Sequence, residues 1–292
     1  MKSRITITAV VILMIAATAA PGAQAQGLHK NGIIDLWADG KTGFGVYVPN
    51  ERPPAEGTGG RGARGARGAR PPALYTVEGG RKLAENPLYD FVFLNIEGNY
   101  DVDAVRAIGE GLRSPSAVSY KTYLVRIPPI ERDGEEVTRA RVKEVLDLGA
   151  DGVVLPHITS PEEAELAVSF FTEAGANVWS PSNPTGEIIA MLMIEDPVSL
   201  ARLTGTANVK GYSVLACGIG SLTGSLGGDR VAAEEGNMRI LRASQRIGVA
   251  DMITANANNV AQRVREGFLA LLMSGDLADA TIEIGRAAAG RQ

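Results

Sequence analysis

Three observations predict an α/β fold of the (β/α)8 (TIM) barrel type for this chain. Runs of strand-like residues alternate with helical patterns from residue 74 to the C-terminus, the arrangement of a parallel sheet with helices outside it. With one earlier strand the candidates number eight, in about 250 residues, the size of such a barrel. The glycine-rich stretch after the sixth strand, with Gly218, Gly220 and Gly224, is one residue too long for a dinucleotide fingerprint and comes late in the chain. A doubly wound open sheet is therefore the second choice.

The first 25 residues stand apart from that fold. Lys2 and Arg4 open the chain, Ile5–Ala20 is apolar, and Ala23-Gln24-Ala25 is a small-residue cleavage pattern, together a secretory signal peptide. The apolar stretch is shorter than the roughly 18 residues of a membrane span. Residues 26–292 are then expected to form a single barrel domain, periplasmic or secreted, with no membrane partner after cleavage. Gly43–Val48 is the first strand. Residues 49–73, rich in Gly, Pro and Arg with near-copies of Arg-Gly-Ala, cannot bury a core and read as a basic surface loop.

Phe91–Asn95 is the second strand, followed by a helix over Val102–Leu112. Tyr123–Ile127 and Glu135–Leu148 form the next strand and helix, and Gly152–Leu155 the fourth strand. Ser160, with Glu163 three residues on, predicts a capping box for a helix ending near Ala174. Ile188–Ile194 and Tyr212–Cys217 are strands joined by a short helix, and Asp196-Pro197 marks that helix's start. Gly218–Gly228 reads as a glycine-rich loop, a ring of backbone N–H groups suited to an anion. Ala232–Arg246 is helical, Val249–Thr254 a strand, Asn258–Glu266 a helix, Ala270–Met273 a strand and Leu277–Ala289 the last helix.

Composition narrows the function. The formal charge of −4 becomes −6 once Lys2 and Arg4 leave with the signal, which argues against a nucleic-acid partner. Cys217 is the only cysteine, so no internal disulfide forms, and at the end of an apolar strand it reads as a core residue. His29, near the mature N-terminus, reads as structural or disordered, with no part in the chemistry.

In a barrel, working residues lie at the C-terminal ends of strands. Read in order, those ends carry Glu97, Arg126, His157, Glu195 and the Gly218–Gly228 stretch. Carboxylates are ligands for a hard divalent cation, which often takes only one or two of them and completes its shell with substrate oxygens. A 2-oxo acid chelates such a cation, and a nearby arginine stabilises the enolate formed when a C–C bond breaks beside the carbonyl.

The segments YDFVFLNIEGNYD, YLVRIP, VLDLGADGVVLPHITSPEEAELAV, MLMIEDPVSL, GIGSLTGSLG and REGFLALLMSGD follow in order. Through them the chain, over about residues 33–275, resembles the HpcH/HpaI aldolase/citrate lyase family of class II, metal-dependent 2-oxo-acid aldolases. The resemblance implies a (β/α)8 barrel, a homo-oligomer, and cleavage of a 4-hydroxy-2-oxo acid to pyruvate and an aldehyde. It places Arg126 at the substrate-polarising arginine. The implied metal site (Mg, Mn or Co) holds Glu195, with Glu97 carrying a ligand water. Gly220 and Ser221 are placed in the loop that binds the substrate carboxylate. Four positions depart from the family's pattern. Its catalytic histidine falls on Gly98, its second metal carboxylate on Ser221, the glutamine before the metal glutamate on Met193, and the first aspartate of its D-G-E-H run on Asn95. His157 is the candidate replacement base, and Asp229 a further residue near the glycine stretch. The expected function is an exported metal-dependent lyase; the alternative is a barrel that binds a small carboxylate without turning it over.

Overall fold

A computed structural model describes residues 28–52 and 72–291. The signal peptide assigned to residues 1–25 and most of the basic loop at 49–73 lie outside the described residues. In chain order come α1 (Gly32–Ala38), β1 (Gly43–Tyr47), α2 (Val77–Glu85), β2 (Phe91–Asn95), α3 (Val102–Leu112) and β3 (Thr122–Arg126). Then follow α4 (Ile130–Asp133), α5 (Glu135–Asp147), β4 (Gly152–Leu155), α6 (Pro161–Glu173), β5 (Ile189–Ile194), α7 (Pro197–Asn208) and β6 (Val214–Cys217). The chain ends with α8 (Ile219–Ser225), α9 (Arg230–Ile247), β7 (Ala250–Thr254), α10 (Val260–Glu266), β8 (Ala270–Met273) and α11 (Ala278–Ala288).

The eight strands form a closed barrel in sequence order. Every pairing is parallel, and β1 closes on β8 with Gly43 beside Ala270. The expected (β/α)8 barrel is the fold. No helix among the described residues is long and apolar enough to cross a membrane.

Several helices start where a side chain satisfies the free N–H groups of the first turn. Asp101 accepts from Ala104 N–H and Asp229 from Val231 and Ala232 N–H. Asp229 is therefore a helix cap. Asp196 caps α7 in a full capping box with Ser199, as its Asp-Pro signal predicts. Ser160 caps α6, but Glu163 bonds Thr159 instead of closing the predicted box.

A second expectation is also overturned. Gly218–Gly228 is not a loop throughout, because Ile219–Ser225 forms α8. Its glycines disfavour a helix. Burial of Leu222 offsets that cost: the side chain lies against Gly236 of α9, where a Cβ would sit 3.0 Å from Leu222 Cδ2. Three elements also have no counterpart in the sequence reading, α1, α2 and the short α4.

The core has two parts. Phe91, Phe93, Leu124, Val154, Met191, Val214, Met252 and Leu272 fill the barrel, while Val92, Val125, Leu155, Leu192, Leu215 and Leu271 pack between strands and helices. Cys217 belongs to the outer set, and burial pushes its thiol far above the usual range, so it is a core residue as expected. The N-terminal end is closed by α1, whose Ile33, Ile34 and Trp37 join the inner cluster. There His29 lies between Asp35 Oδ1 and Pro184 O, each at 2.7 Å, a structural role in line with its reading.

Asp251 on β7 is buried, and its Oδ1 accepts from Leu269 N–H at 2.9 Å. Burial outweighs that bond and raises the carboxyl to about 7. The folded chain therefore holds this proton more tightly than the unfolded one, whose Asp titrates near ~3.9. Stability from this group is full below that value and falls as pH rises through about 7. Asp251→Asn keeps an acceptor for Leu269. It is expected to be more stable than wild type by a margin growing from pH 5 to pH 8, reaching roughly 2–4 kcal/mol. Urea unfolding at the two pH values measures it.

Candidate functional site

Side chains alternate across a strand, so every second residue faces the barrel interior. Continuing the apolar inner register to the C-terminal end brings Tyr47 after Gly45, Asn95 after Phe93, Arg126 after Leu124, Glu195 after Met193 and Gly218 after Ala216. The interior is apolar through its middle layers and polar at this mouth, and at the opposite end Thr122 bonds Asn31.

Arg126 joins the groups there. Its Nη2 lies 2.8 Å from Glu97 Oε2 and 3.0 Å from Glu195 Oε1. Glu195 Oε2 is 3.3 Å from the same nitrogen. His157 Nε2 donates to Glu97 Oε1 at 3.0 Å, so both Glu97 oxygens are engaged. Arg126 is 8% exposed and Glu195 1%, which makes this a largely desolvated charge cluster. The Glu195 carboxylate occupies the space a side chain at residue 218 would need: a Cβ there would lie 2.3 Å from Oε2.

The charges tune one another. Burial pushes the Glu97 carboxyl up, but its hydrogen bond to His157 and the Arg126 charge hold it below the usual carboxylate range. The same hydrogen bond raises His157 above the usual imidazole value; burial and Arg126 oppose the shift, and Glu195 and Glu97 add to it. His157 is also the one non-glycine residue with positive φ (57°) among the described residues.

Glu97, Arg126, His157 and Glu195 thus come together, as their strand-end positions suggest. Gly220 and Ser221 lie in the first turn of α8, beside Glu195 through Gly218. The first N–H groups of a helix have no intrahelical partner, so the backbone there still presents donors although the segment is a helix. Gly98 has nothing within 4 Å of where its side chain would be.

Two residues of the mouth escaped the sequence reading. Tyr47 packs edge-on against Phe93 with ring centroids 5.2 Å apart. Burial raises its phenol, Arg126 opposes, and Glu195 and Glu97 add to the rise. Its signal was the inward register it shares with Gly43 and Gly45. Arg132 donates from Nη1 to the backbone oxygen of Glu97 at 2.7 Å and so holds the turn that presents it. Nothing local marks that role.

The oxygens of this mouth suit a hard cation. Glu195 and Glu97 are the carboxylates at this mouth, and both are already engaged, Glu195 by Arg126 and Glu97 by Arg126 and His157. Among the described residues no group of three or more His, Cys, Asp or Glu side chains forms a protein cage for a metal. A cation here depends on water and substrate oxygens for most of its shell, as magnesium commonly does.

A family model described as HpcH/HpaI aldolase/citrate lyase matches residues 85–279. No curated protein sequence matches the chain. The fold is similar to that of a HpcH/HpaI aldolase/citrate lyase family protein from Burkholderia cenocepacia J2315, at 20% identity and TM-score 0.63 over 88% of this chain and 97% of the other. An HpcH/HpaI aldolase from Desulfitobacterium hafniense DCB-2 is similar at 22% identity and TM-score 0.59, over 86% and 93%. The citrate lyase beta subunit of M. tuberculosis, solved with oxaloacetate and magnesium, is similar at 16% identity and TM-score 0.56, over 87% and 99%.

Arg126→Met strands Glu195 as an uncompensated buried charge and is expected to cost about 3–5 kcal/mol of stability. Adding Glu195→Gln is expected to return part of that loss, because the stranded charge is gone. Chemical denaturation of the two variants reads the difference.

Proposed function

Because the chain belongs to the HpcH/HpaI aldolase/citrate lyase family, a family of carbon–carbon lyases, we propose that it cleaves a 4-hydroxy-2-oxo acid to pyruvate and an aldehyde. One observation carries this reading: Arg126, Glu97 and Glu195 converge at the C-terminal mouth of the barrel, with the first turn of α8 beside them.

The residues divide the work. The substrate carboxylate is anionic and sits at the first turn of α8, where N–H groups of Gly220 and Ser221 donate to it. The 2-oxo oxygen lies toward Arg126. When the C3–C4 bond breaks, negative charge develops on that oxygen, and the guanidinium is already held in place to stabilise it. Two carboxylates fix its position, so little reorganisation is needed as the charge forms. Glu195 would hold a divalent cation (Mg, Mn or Co) and Glu97 a water of its shell, and the cation would supply Lewis-acid polarisation of the 2-oxo group. Tyr47 packs edge-on against the buried Phe93 beneath these charges.

The reading extends to a periplasmic or secreted homo-oligomer with a small-molecule substrate and no nucleic-acid or membrane partner. The signal pattern supports export.

The second reading, a barrel that binds a small carboxylate without turnover, draws on Gly98, which presents no proton-transferring side chain in the loop after β2. A panel of 4-hydroxy-2-oxo acids with Mg²⁺, Mn²⁺ or Co²⁺ separates the two. Pyruvate release is expected, and Arg126→Gln is expected to lower kcat by about 10²–10³, the effect of losing one oxyanion-stabilising donor. Stabilisation by oxalate with no release from any substrate or metal would assign the chain to the second reading.

A further inference from the structure

We infer that His157, oriented by Glu97, carries the proton in this site. The inference rests on the lyase reading for the reaction it serves. The loop after β2 contributes a carboxylate, Glu97, but its next residue is Gly98. The imidazole reaches that carboxylate from two strands away, at the end of β4, with Nε2 3.0 Å from Glu97 Oε1. It arrives there at a conformational cost. A left-handed backbone at a non-glycine residue costs about 1–3 kcal/mol and persists only where the surroundings enforce it. Here Pro156 and Ile158 are both buried, and Ile158 N–H donates to Met193 O at 3.1 Å. The strained residue sits between two fixed ones, and its ring is turned to the mouth rather than to the helices.

The arrangement is that of a general base and its orienting acid. With Nε2 donating to Glu97, the neutral form of the imidazole carries its lone pair on Nδ1, which has no partner among the described residues. The side chain is 32% exposed, enough for a substrate to reach it. Glu97 also holds Arg126, so the proton carrier and the enolate-stabilising group are placed by one carboxylate.

In cleavage, Nδ1 takes the proton of the 4-hydroxyl group. The C3–C4 bond breaks, its electron pair forms the enolate of pyruvate, and C4 leaves as the aldehyde carbonyl. Nδ1–H then gives its proton to C3. One proton leaves and one returns, and no oxidant or reductant is consumed.

The second half of that sequence, run backward, exchanges the C3 protons of pyruvate with solvent, and it needs no aldehyde. Exchange is followed by proton NMR in D₂O with the full chain and Mg²⁺, Mn²⁺ or Co²⁺, and oxalate binding is followed by thermal shift. His157→Gln is expected to slow exchange by about 10²–10⁴ while keeping the oxalate shift. Imidazole is expected to restore part of the exchange in His157→Ala, which a structural role would not allow. Exchange at the wild-type rate in His157→Gln overturns the proposal, as does loss of both exchange and the oxalate shift with no return under imidazole. A wild type that exchanges pyruvate protons but cleaves no 4-hydroxy-2-oxo acid removes the lyase reading and leaves His157 assigned. Cleavage that is indifferent to His157→Gln does the reverse.

Discussion

Burying the Arg126 guanidinium is the constraint around which the mouth of the barrel is organised. A charge taken out of water must be paired and hydrogen-bonded, or the fold loses several kcal/mol. The barrel meets that demand with two carboxylates from different strand ends, Glu97 and Glu195, both on Nη2. Each pairing imposes a second one. Glu97 has an oxygen left over, which His157 fills. Glu195 needs room beside β6, which only a glycine at 218 leaves. The position of the imidazole and the path of the chain into α8 thus both trace to one cation.

That charge cluster can sit at the mouth because the other end of the barrel carries the stability. The strands enclose an apolar interior, and α1 caps its N-terminal end with Ile33, Ile34 and Trp37. The indole N–H of Trp37 donates to Leu269 O. Near the same end, Arg291 beyond the last helix makes a forked pair with Asp90, which accepts from Phe44 N–H. The termini of the described barrel are tied to the strands at the end away from the site. Substitutions at the mouth therefore act on a scaffold whose closure does not depend on them, apart from the buried charges themselves.

Much of this was legible in the chain. Phe91–Asn95, Val102–Leu112, Gly152–Leu155 and Ala270–Met273 have the bounds that their apolar patterns suggest. Two of the misreadings share a cause. Gly79 and Gly80 obscure the helical pattern of α2, and Gly220 and Gly224 that of α8. In α2 the small residue serves packing against α3, since a Cβ on Gly80 would lie 2.6 Å from Ile108 O. In α8 the burial of Leu222 overrides the weak local preference. Propensity speaks for the isolated segment, and contacts with other helices decided both. Glu97, Arg126, His157 and Glu195 were readable as strand-end residues, and Tyr47 had its inward register as a signal, whereas Arg132 was not readable, because its part depends on which neighbours the closed sheet gives it.

The sequence by itself determined the alternation of strand and helix, and with it the barrel. Chemistry-bearing residues stood at the ends of strands, and a parallel barrel places all such ends at one mouth. The tertiary structure decided who pairs with whom. Arg126 meets Glu195 across 69 residues of chain, and His157 meets Glu97 across 60. No local pattern encodes those partnerships. They follow from closing eight strands into a ring too narrow for its inward charges to avoid one another, and from the cost of leaving any of them unpaired.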